Sequence, residues 1–400
     1  MTIIMTIATI ILLITLWLTL DFILGKKKQL KKVKRENDSI RESSIDVFSE
    51  GPDLFTDLFS ELKKAEHHIH ILFYIVKNDK ISKEFLSILK DKASKGVEVR
   101  LLLDWIGSFL IKKKTIKSLR SHGVQFAFAN PPRLPFLFYS SQVRNHRKIT
   151  IIDGKIGYIG GFNIAKEYIN LDPKLSPWRD YHLKIIGEGV EDLQKEFLTD
   201  WHEATKLDLL MNEIYFPVQP KGGIQHKIIP SKGPFLEDTF STLIRNAKTR
   251  IIIGTPYFIP SKRLLNDLSA AQARGVTLTL LVPFKTDHIL VKEASFRYLR
   301  KLLKQGANVY EFLNGFYHAK TIIIDDDICD IGTANFDKRS LFLNYEINCY
   351  IYDQAFTHKV LKVIETDIHE SKQLTLQELN RLNPFRVLKE LVARSVAIFL

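Results

Sequence analysis

Cysteine is nearly absent: Cys329 and Cys349 are the only two in 400 residues. That excludes a disulfide framework and a thiolate zinc site. The 12 histidines include no His-x3-His or His-Glu-x2-His pair, so the sequence carries no metal signature and points to no cofactor. Acidic residues are in deficit, 45 against 58 lysines and arginines, which leaves a net charge of +13. The excess favours an anionic partner, either nucleic acid or an acidic membrane surface, and composition does not choose between them. An apolar content of 45% suits a globular chain able to bury a core, and 400 residues suggest two to three domains.

Charge of either sign is missing from residues 1–20; Asp21 interrupts, and Phe22-Ile23-Leu24 continue the apolar run. This is long enough to cross a hydrocarbon core of ~30 Å as one helix. A cleaved signal peptide would want a positive start and a shorter run. The positive charge comes afterwards, at Lys26, Lys27, Lys28, Lys31, Lys32, Lys34 and Arg35. It predicts an N-terminus outside and a body on the cytoplasmic side, with the cluster drawn to anionic lipid headgroups. Residues 1–25 thus read as a single-pass anchor and 26–50 as a basic juxtamembrane linker.

From residue 51 the chain repeats itself. A helical pattern at Leu54–Glu66 leads into an apolar run at His70–Val76; Phe240–Lys248 leads likewise into Arg250–Ile259. Phe85–Lys95, closed by Gly96, precedes the run Val97–Leu103. Its counterpart Leu264–Arg274, closed by Gly275, precedes Val276–Val282. Glycine just past a helix and just before a strand is an expected C-cap. Strands alternating with helices predict an α/β fold with mixed sheets flanked by helices on both faces. Pro217, Pro220, Gly222 and Gly223 mark the junction. We expect one domain at 51–215, a second at 216–375, and a pseudo-twofold axis between them. Residues 376–400 read as an amphipathic segment, suited to docking on the protein or lying at a membrane interface. The first half also carries an aromatic insertion, Pro131–Tyr139, which could be core or a lip touching acyl chains.

Each half ends on the same signature. His146, Lys148 and Asp153 fit His-x-Lys-x4-Asp, and so do His318, Lys320 and Asp325; Asn163 and Asn335 each follow 17 residues after the His. A β-branched run separates Lys from Asp in both copies and reads as a buried strand. His and Lys, two apart, leave the same face of an extended segment. One copy could be a solvated strand edge; two with identical offsets are hard to read so. Together they would place two His, two Lys and two Asn around one cavity. That suits a phosphodiester: Lys and amide donors hold the phosphoryl oxygens, one His attacks phosphorus, and the other handles the leaving and incoming oxygens. A nucleophilic His needs its second ring nitrogen held. Asp180 lies 34 residues beyond His146, and Glu346 lies 28 beyond His318, so each motif is followed by a candidate carboxylate. Gly161 and Thr333 occupy matching positions beside the two Asn. Asp153 and Asp325, at the far strand ends, read as holding a turn or pairing with a base rather than moving protons.

The twin motifs, their trailing Gly160-Gly161 and Gly332-Thr333, the Trp178-Arg179-Asp180 segment, Asp337-Lys338-Arg339-Ser340 and Asn344–Asn348 resemble the phospholipase D superfamily. Within it they look like bacterial cardiolipin synthases of that type, over roughly residues 51–375. The resemblance implies two tandem phospholipase D-like domains and conversion of two phosphatidylglycerol molecules to cardiolipin and glycerol. It also implies a phosphatidyl-histidine intermediate, with no metal required. The His, Lys and Asp of both motifs are active-site residues by that resemblance, with His146 the favoured nucleophile. Such synthases often carry two N-terminal spans, where this sequence offers one. A lipid hydrolase shares these residues and differs only in admitting water. A tethered nuclease is disfavoured, since no basic, aromatic-interleaved groove is visible beyond the juxtamembrane cluster.

Overall fold

The computed structural model describes residues 2–31, 39–233, 235–381 and 383–396. Lys32, Lys34 and Arg35 of the basic cluster, and Ile398 of the C-terminal segment, lie outside them. Thr2–Leu30 form one helix, and Ile3–Leu30 is long and apolar enough to cross a membrane. Its last turns dock on the body. Asp21 is buried and its Oδ1 accepts from the Tyr139 amide at 2.7 Å; Gln29 Oε1 accepts from the Tyr139 hydroxyl at 2.9 Å. Phe22 meets the Tyr139 ring edge-on at 5.4 Å, and Gly25 leaves no room for a side chain against that ring. The aromatic insertion is therefore partly core: Tyr139 is buried beneath the helix, whereas Leu134 and Leu137 stay exposed.

Among the described residues the body is built on one continuous sheet of 16 strands, one of which, Phe316–Tyr317, pairs parallel with Trp178–Gly187 off the main path. At its centre Arg41–Glu50 pairs antiparallel with Ile224–Lys232. From Arg41–Glu50 outward run Trp178–Gly187, Ile156–Gly160, Ile149–Ile152, His68–Phe73, Glu98–Asp104 and Gln125–Ala129. From Ile224–Lys232 outward run Tyr345–Ile351, Ile328–Gly332, Thr321–Ile324, Arg250–Gly254, Thr277–Pro283, Asn308–Phe312 and Ser371–Gln373. The first six strands on each side correspond one to one. Antiparallel pairing of the two central strands relates the halves by a pseudo-twofold.

Residues 41–50 are not the end of the linker their polar composition predicts but the first strand of the first half. Ile45 is buried there and Val47 packs against the same core, the alternation of a half-buried strand. The structural repeat begins at Arg41, ten residues before the expected boundary at 51, because its counterpart in the second half is Ile224–Lys232.

Helices cover both faces, as expected. Gly51–Lys64, Lys80–Ser94 and their counterparts Leu236–Asn246 and Lys262–Ala273 pack over the outer cores of each half. Gly189–Thr205 and Gln354–His369 close a third core shared by both halves, with Ile149, Ile151, Ile323 and Ile331 inside it. The shared core holds the two motif strands at fixed separation, since close-packed interiors do not slide. At the C-terminus, Leu376–Asn380 and Pro384–Val396 are helical. Arg300 forms a bidentate pair with Glu390, and Ala393 is buried, so this segment docks on helix Val291–Leu303. Phe385, Leu388 and Leu391 of its other face are exposed.

Candidate active site

Backbone geometry sets the site before any side chain acts. The amide of His146 donates to the Tyr345 carbonyl at 2.9 Å, and the amide of His318 donates to the Arg179 carbonyl at 2.7 Å. Each motif thereby lies along the opposite half's strand, one residue before a buried carboxylate. The consequence is a crossed pairing. His146 Nδ1 is 2.9 Å from Glu346 Oε2, and His318 Nδ1 is 2.6 Å from Asp180 Oδ2. The carboxylate that comes after each motif in sequence serves the other motif's histidine. Sequence order suggested pairing within each half; packing across the pseudo-twofold decides otherwise.

Both carboxylates are wholly buried, yet both are held below their ordinary range. For Glu346, burial pushes the pKa up, and the attraction of His146, Lys148 and the Thr333 hydroxyl outweighs it. For Asp180, Lys320 and His318 outweigh burial in the same way. Thr333 Oγ1 donates to Glu346 Oε2 at 2.6 Å, and Ser340 Oγ donates to Oε1 at 2.8 Å. Asn344 adds a longer bond at 3.3 Å. Asp180 lacks such a hydroxyl, because Gly161 stands where Thr333 stands in the second half. A Cβ on Gly161 would lie 2.0 Å from Asp180 Oδ1, so glycine is what makes room for the carboxylate. The two pairs are therefore not equivalent.

The rings themselves titrate low. Burial pushes His318 down to about 4, helped by Lys320, and it also lowers His146 against the pull of Glu346. Both imidazoles are neutral near pH 7. With Nδ1–H donated to a carboxylate, each presents the lone pair of Nε2. Aromatic neighbours fix the ring planes: Tyr74 packs edge-on to His146 at 5.0 Å, and Trp178 lies 4.7 Å from His318. Lys148 Nζ donates to the His146 carbonyl at 2.6 Å, and Lys320 Nζ contacts both His318 and Asp180. Burial lowers both lysines: Lys148 to about 7, with the charge of Lys320 adding to the fall, and Lys320 against the pull of Asp180. An arriving anion would reverse these shifts, because an opposite charge nearby favours the charged form.

The remaining sequence candidates separate. Asp153 and Asp325 are not in this cluster. Asp153 accepts from the amides of Glu66, His67 and His68, and Asp325 from those of Lys248, Thr249 and Arg250. Each carboxylate staples the start of the neighbouring strand at the opposite end from the histidine. Both sit at positive φ, 54° and 51°, a conformation that aspartate tolerates better than most residues. Asn163, expected to face a phosphoryl oxygen, is engaged at both ends, with the Ile75 amide and the Tyr168 hydroxyl. Asn335 differs: its Oδ1 is buried with no hydrogen-bond partner among the described residues.

Beneath the cluster lies a support that the motif spacing does not reveal. Arg144 pairs with buried Asp104, which also accepts from the Asn145 amide at 2.9 Å. Arg147, between the motif His and Lys, is fully buried; it pairs with Asp200 and Glu196 and donates to the Glu346 carbonyl at 3.0 Å. An arginine inside a motif otherwise facing a cavity was the available signal.

A pseudo-symmetric α/β sheet carrying two His-Lys pairs at its centre line defines a protein of the phospholipase D class. The family model "Cardiolipin synthase, PLD-like domain" matches residues 58–201 and 240–368. The chain belongs to this family, and it is an enzyme of the phospholipase D superfamily. Curated relatives agree. It is 44% identical over 381 residues to the minor cardiolipin synthase ClsB of Bacillus subtilis, covering 95% of both chains. It is 40% identical to the major cardiolipin synthase ClsA of the same organism, over 88% of this chain and 74% of that one. It is 37% identical to a cardiolipin synthase of Staphylococcus aureus, over 84% and 69%. Among solved structures, a phosphatidylserine synthase of Haemophilus influenzae shares the fold at a TM-score of 0.73, with 16% identity over 94% of this chain and 100% of that one.

Proposed function

We propose that the protein is a cardiolipin synthase that moves a phosphatidyl group from one phosphatidylglycerol to another, releasing glycerol. The observation that carries this is the crossed pair of neutral, carboxylate-held imidazoles flanked by two lysines. The anionic phosphodiester of the donor settles between Lys148 and Lys320, and its charge raises the pKa of both and holds them as ammonium ions. Asn335 Oδ1, buried and without a partner among the described residues, accepts from a headgroup hydroxyl. The same anion raises the pKa of His318, which takes up a proton. His146 Nε2 then attacks phosphorus; the bond from phosphorus to the glycerol oxygen breaks, and His318 gives its proton to that oxygen. The product is a phosphatidyl-histidine. A second phosphatidylglycerol enters, His318 removes the proton of its terminal hydroxyl, and that oxygen displaces His146. Two lysines supply the charge compensation that a metal supplies elsewhere.

The protein is a membrane protein by its N-terminal helix and its family. We propose that this helix spans once with its N-terminus outside and the body cytoplasmic, supported by the basic residues after the apolar run. Reporter fusions after residue 50 and at the C-terminus should both report cytoplasm; an external C-terminus would overturn the orientation. The chemistry is tested with purified protein in phosphatidylglycerol vesicles containing chelator. Cardiolipin and glycerol should appear in equal amounts. Phosphatidic acid as the main product would make the protein a hydrolase, and no turnover until a divalent cation is restored would remove the metal-free mechanism.

A further inference from the structure

The catalytic strands have a second face. Successive side chains of an extended segment leave opposite sides. His146, Lys148 and Glu346 meet at the shared site, whereas Arg147 and Tyr345 line a separate cavity of about 620 Å³. That is the size of a small-molecule or lipid-headgroup site. Its walls come from the end of the N-terminal helix at Gly25, Lys28 and Gln29, from the 131–139 insertion, from helix Gly189–Thr205, and from the central strand Ile224–Lys232.

The lining has two characters. Arg147 and Lys232 are neutralised by Glu196 and Glu203 of the lining and by Asp200 buried behind it. Lys28, Arg133 and Lys206 have no carboxylate partner among the described residues, and all three stand at the rim. Ser231 is 6% exposed, lines the cavity, and leaves its hydroxyl without a hydrogen-bond partner among the described residues. Against these polar groups stand Leu134, Phe136, Phe235 and Leu236. Uncompensated cations beside an apolar wall suit a ligand that is an anion at one end and hydrocarbon at the other.

Location selects the ligand class. The cavity is roofed by the turn where the apolar helix leaves the body, and the Asp21–Tyr139 bond fixes that turn in place. Ile23 and Leu24, just above, are 54% and 49% exposed. Hydrocarbon too long for the cavity would therefore run along this helix into the bilayer.

We propose that this cavity is a non-catalytic site for an anionic glycerophospholipid. Its phosphodiester is held by Lys28, Arg133 and Lys206. Its glycerol and upper acyl carbons lie on Leu134, Phe136 and Phe235. No histidine lines the cavity, so nothing is transferred there. The site touches the reaction through its floor: Tyr345 offers its carbonyl to the His146 amide, and Arg147 bonds the Glu346 carbonyl. A lipid pressed against these two residues would hold Glu346 and His146 in register.

The test is photocrosslinking of the full chain with a benzophenone amino acid in place of Leu134. The protein is reconstituted in phosphatidylcholine vesicles alone, or with phosphatidylglycerol or cardiolipin added, and crosslinked lipid is identified by mass spectrometry. Both anionic arms should give adducts in excess of their share of the bilayer, and their ratio tells which lipid the site prefers. The double variant Arg133→Glu with Lys206→Glu should lose about tenfold or more of that excess, since each change removes an attraction for the phosphodiester and adds a repulsion. A second benzophenone at Trp17, inside the apolar helix, should be unaffected by the double variant and shows that the protein is still inserted. Crosslinking at 134 that merely tracks bilayer composition, or that the double variant leaves unchanged, would overturn the site. The outcome is independent of transfer chemistry: adducts at 134 with no cardiolipin formed would leave this site standing and remove the synthase reading.

Discussion

Glu346 Oε2 lies 2.9 Å from Nδ1 of His146, and the two residues stand 200 positions apart in opposite halves of the chain. The reciprocal pair, Asp180 and His318, is separated by 138 positions. Neither half contains a complete histidine–carboxylate unit. The active cluster therefore exists only when both halves have folded and docked.

The crossed pairing predicts which carboxylate controls which step. Glu346→Gln should suppress formation of a covalent adduct on His146 and lower turnover by about 10²–10⁴-fold, because it removes the charge that orients the attacking ring. Asp180→Asn should lower overall turnover yet still permit an adduct on His146 when the donor carries a good leaving group. Quenched-reaction mass spectrometry with an activated phosphodiester lipid checks both. The opposite assignment, with Asp180→Asn abolishing the adduct, would mean that pairing in solution is not crossed.

The histidines themselves should divide in the same way. His146→Asn should form no adduct with any donor. His318→Asn should retain some with the activated donor, whose leaving oxygen needs no proton, while losing about 10²–10⁴-fold with phosphatidylglycerol. An adduct mapped to His318 and kept in His146→Asn would exchange the two roles.

Asp153 and Asp325 should behave as staples. Each accepts several backbone amides at a strand start, so alanine removes those bonds at a net cost of about 0.5–1.5 kcal/mol each, with water taking over the exposed donors. The expected outcome for either single variant is a lower unfolding temperature in detergent, with kcat at a permissive temperature within about tenfold of wild type. A loss of kcat by about 10³-fold or more with unchanged stability would return these residues to the chemistry.

Asp330 gives a pH signature. It is buried opposite Asn348, and burial pushes its carboxyl up to about 8. The unfolded chain, with an ordinary carboxyl, binds fewer protons between about pH 4 and 8. Stability from this group is therefore full below about pH 4 and is lost as pH rises towards about 8. Asp330→Asn stays neutral at every pH, and its amide can donate to Asn348 Oδ1, which is unpartnered among the described residues. It should raise the unfolding temperature at about pH 8 and change it little at about pH 4. Equal shifts at both pH values would assign the effect to packing instead.

Much of this protein was decided locally, and so it could be read along the chain. The offsets within His146–Asp153 and His318–Asp325 are set by strand geometry, and the β-branched runs Ile149–Ile152 and Thr321–Ile324 form strands wherever they are buried. The glycines closing helices at Gly96 and Gly275, at φ of 92° and 90°, mark their helix ends because few other residues adopt that backbone. The apolar run at residues 2–24 needed only its length. What the sequence could not settle depends on which surfaces meet. The polar stretch Arg41–Glu50 becomes a central strand because Trp178–Gly187 pairs along it from Ser43 to Glu50 and the partner half's Ile224–Lys232 takes its other edge at Arg41–Ser43. Tyr139 becomes a seat for the N-terminal helix because Asp21 on that helix accepts its amide and Gly25 clears space for its ring. Glu346 serves His146 and not His318 because a pseudo-twofold axis lays each motif against the other half's strand. Spacing along a chain fixes which residues share a face; only docking of the two halves, driven by the apolar core they share, fixes which residues face each other.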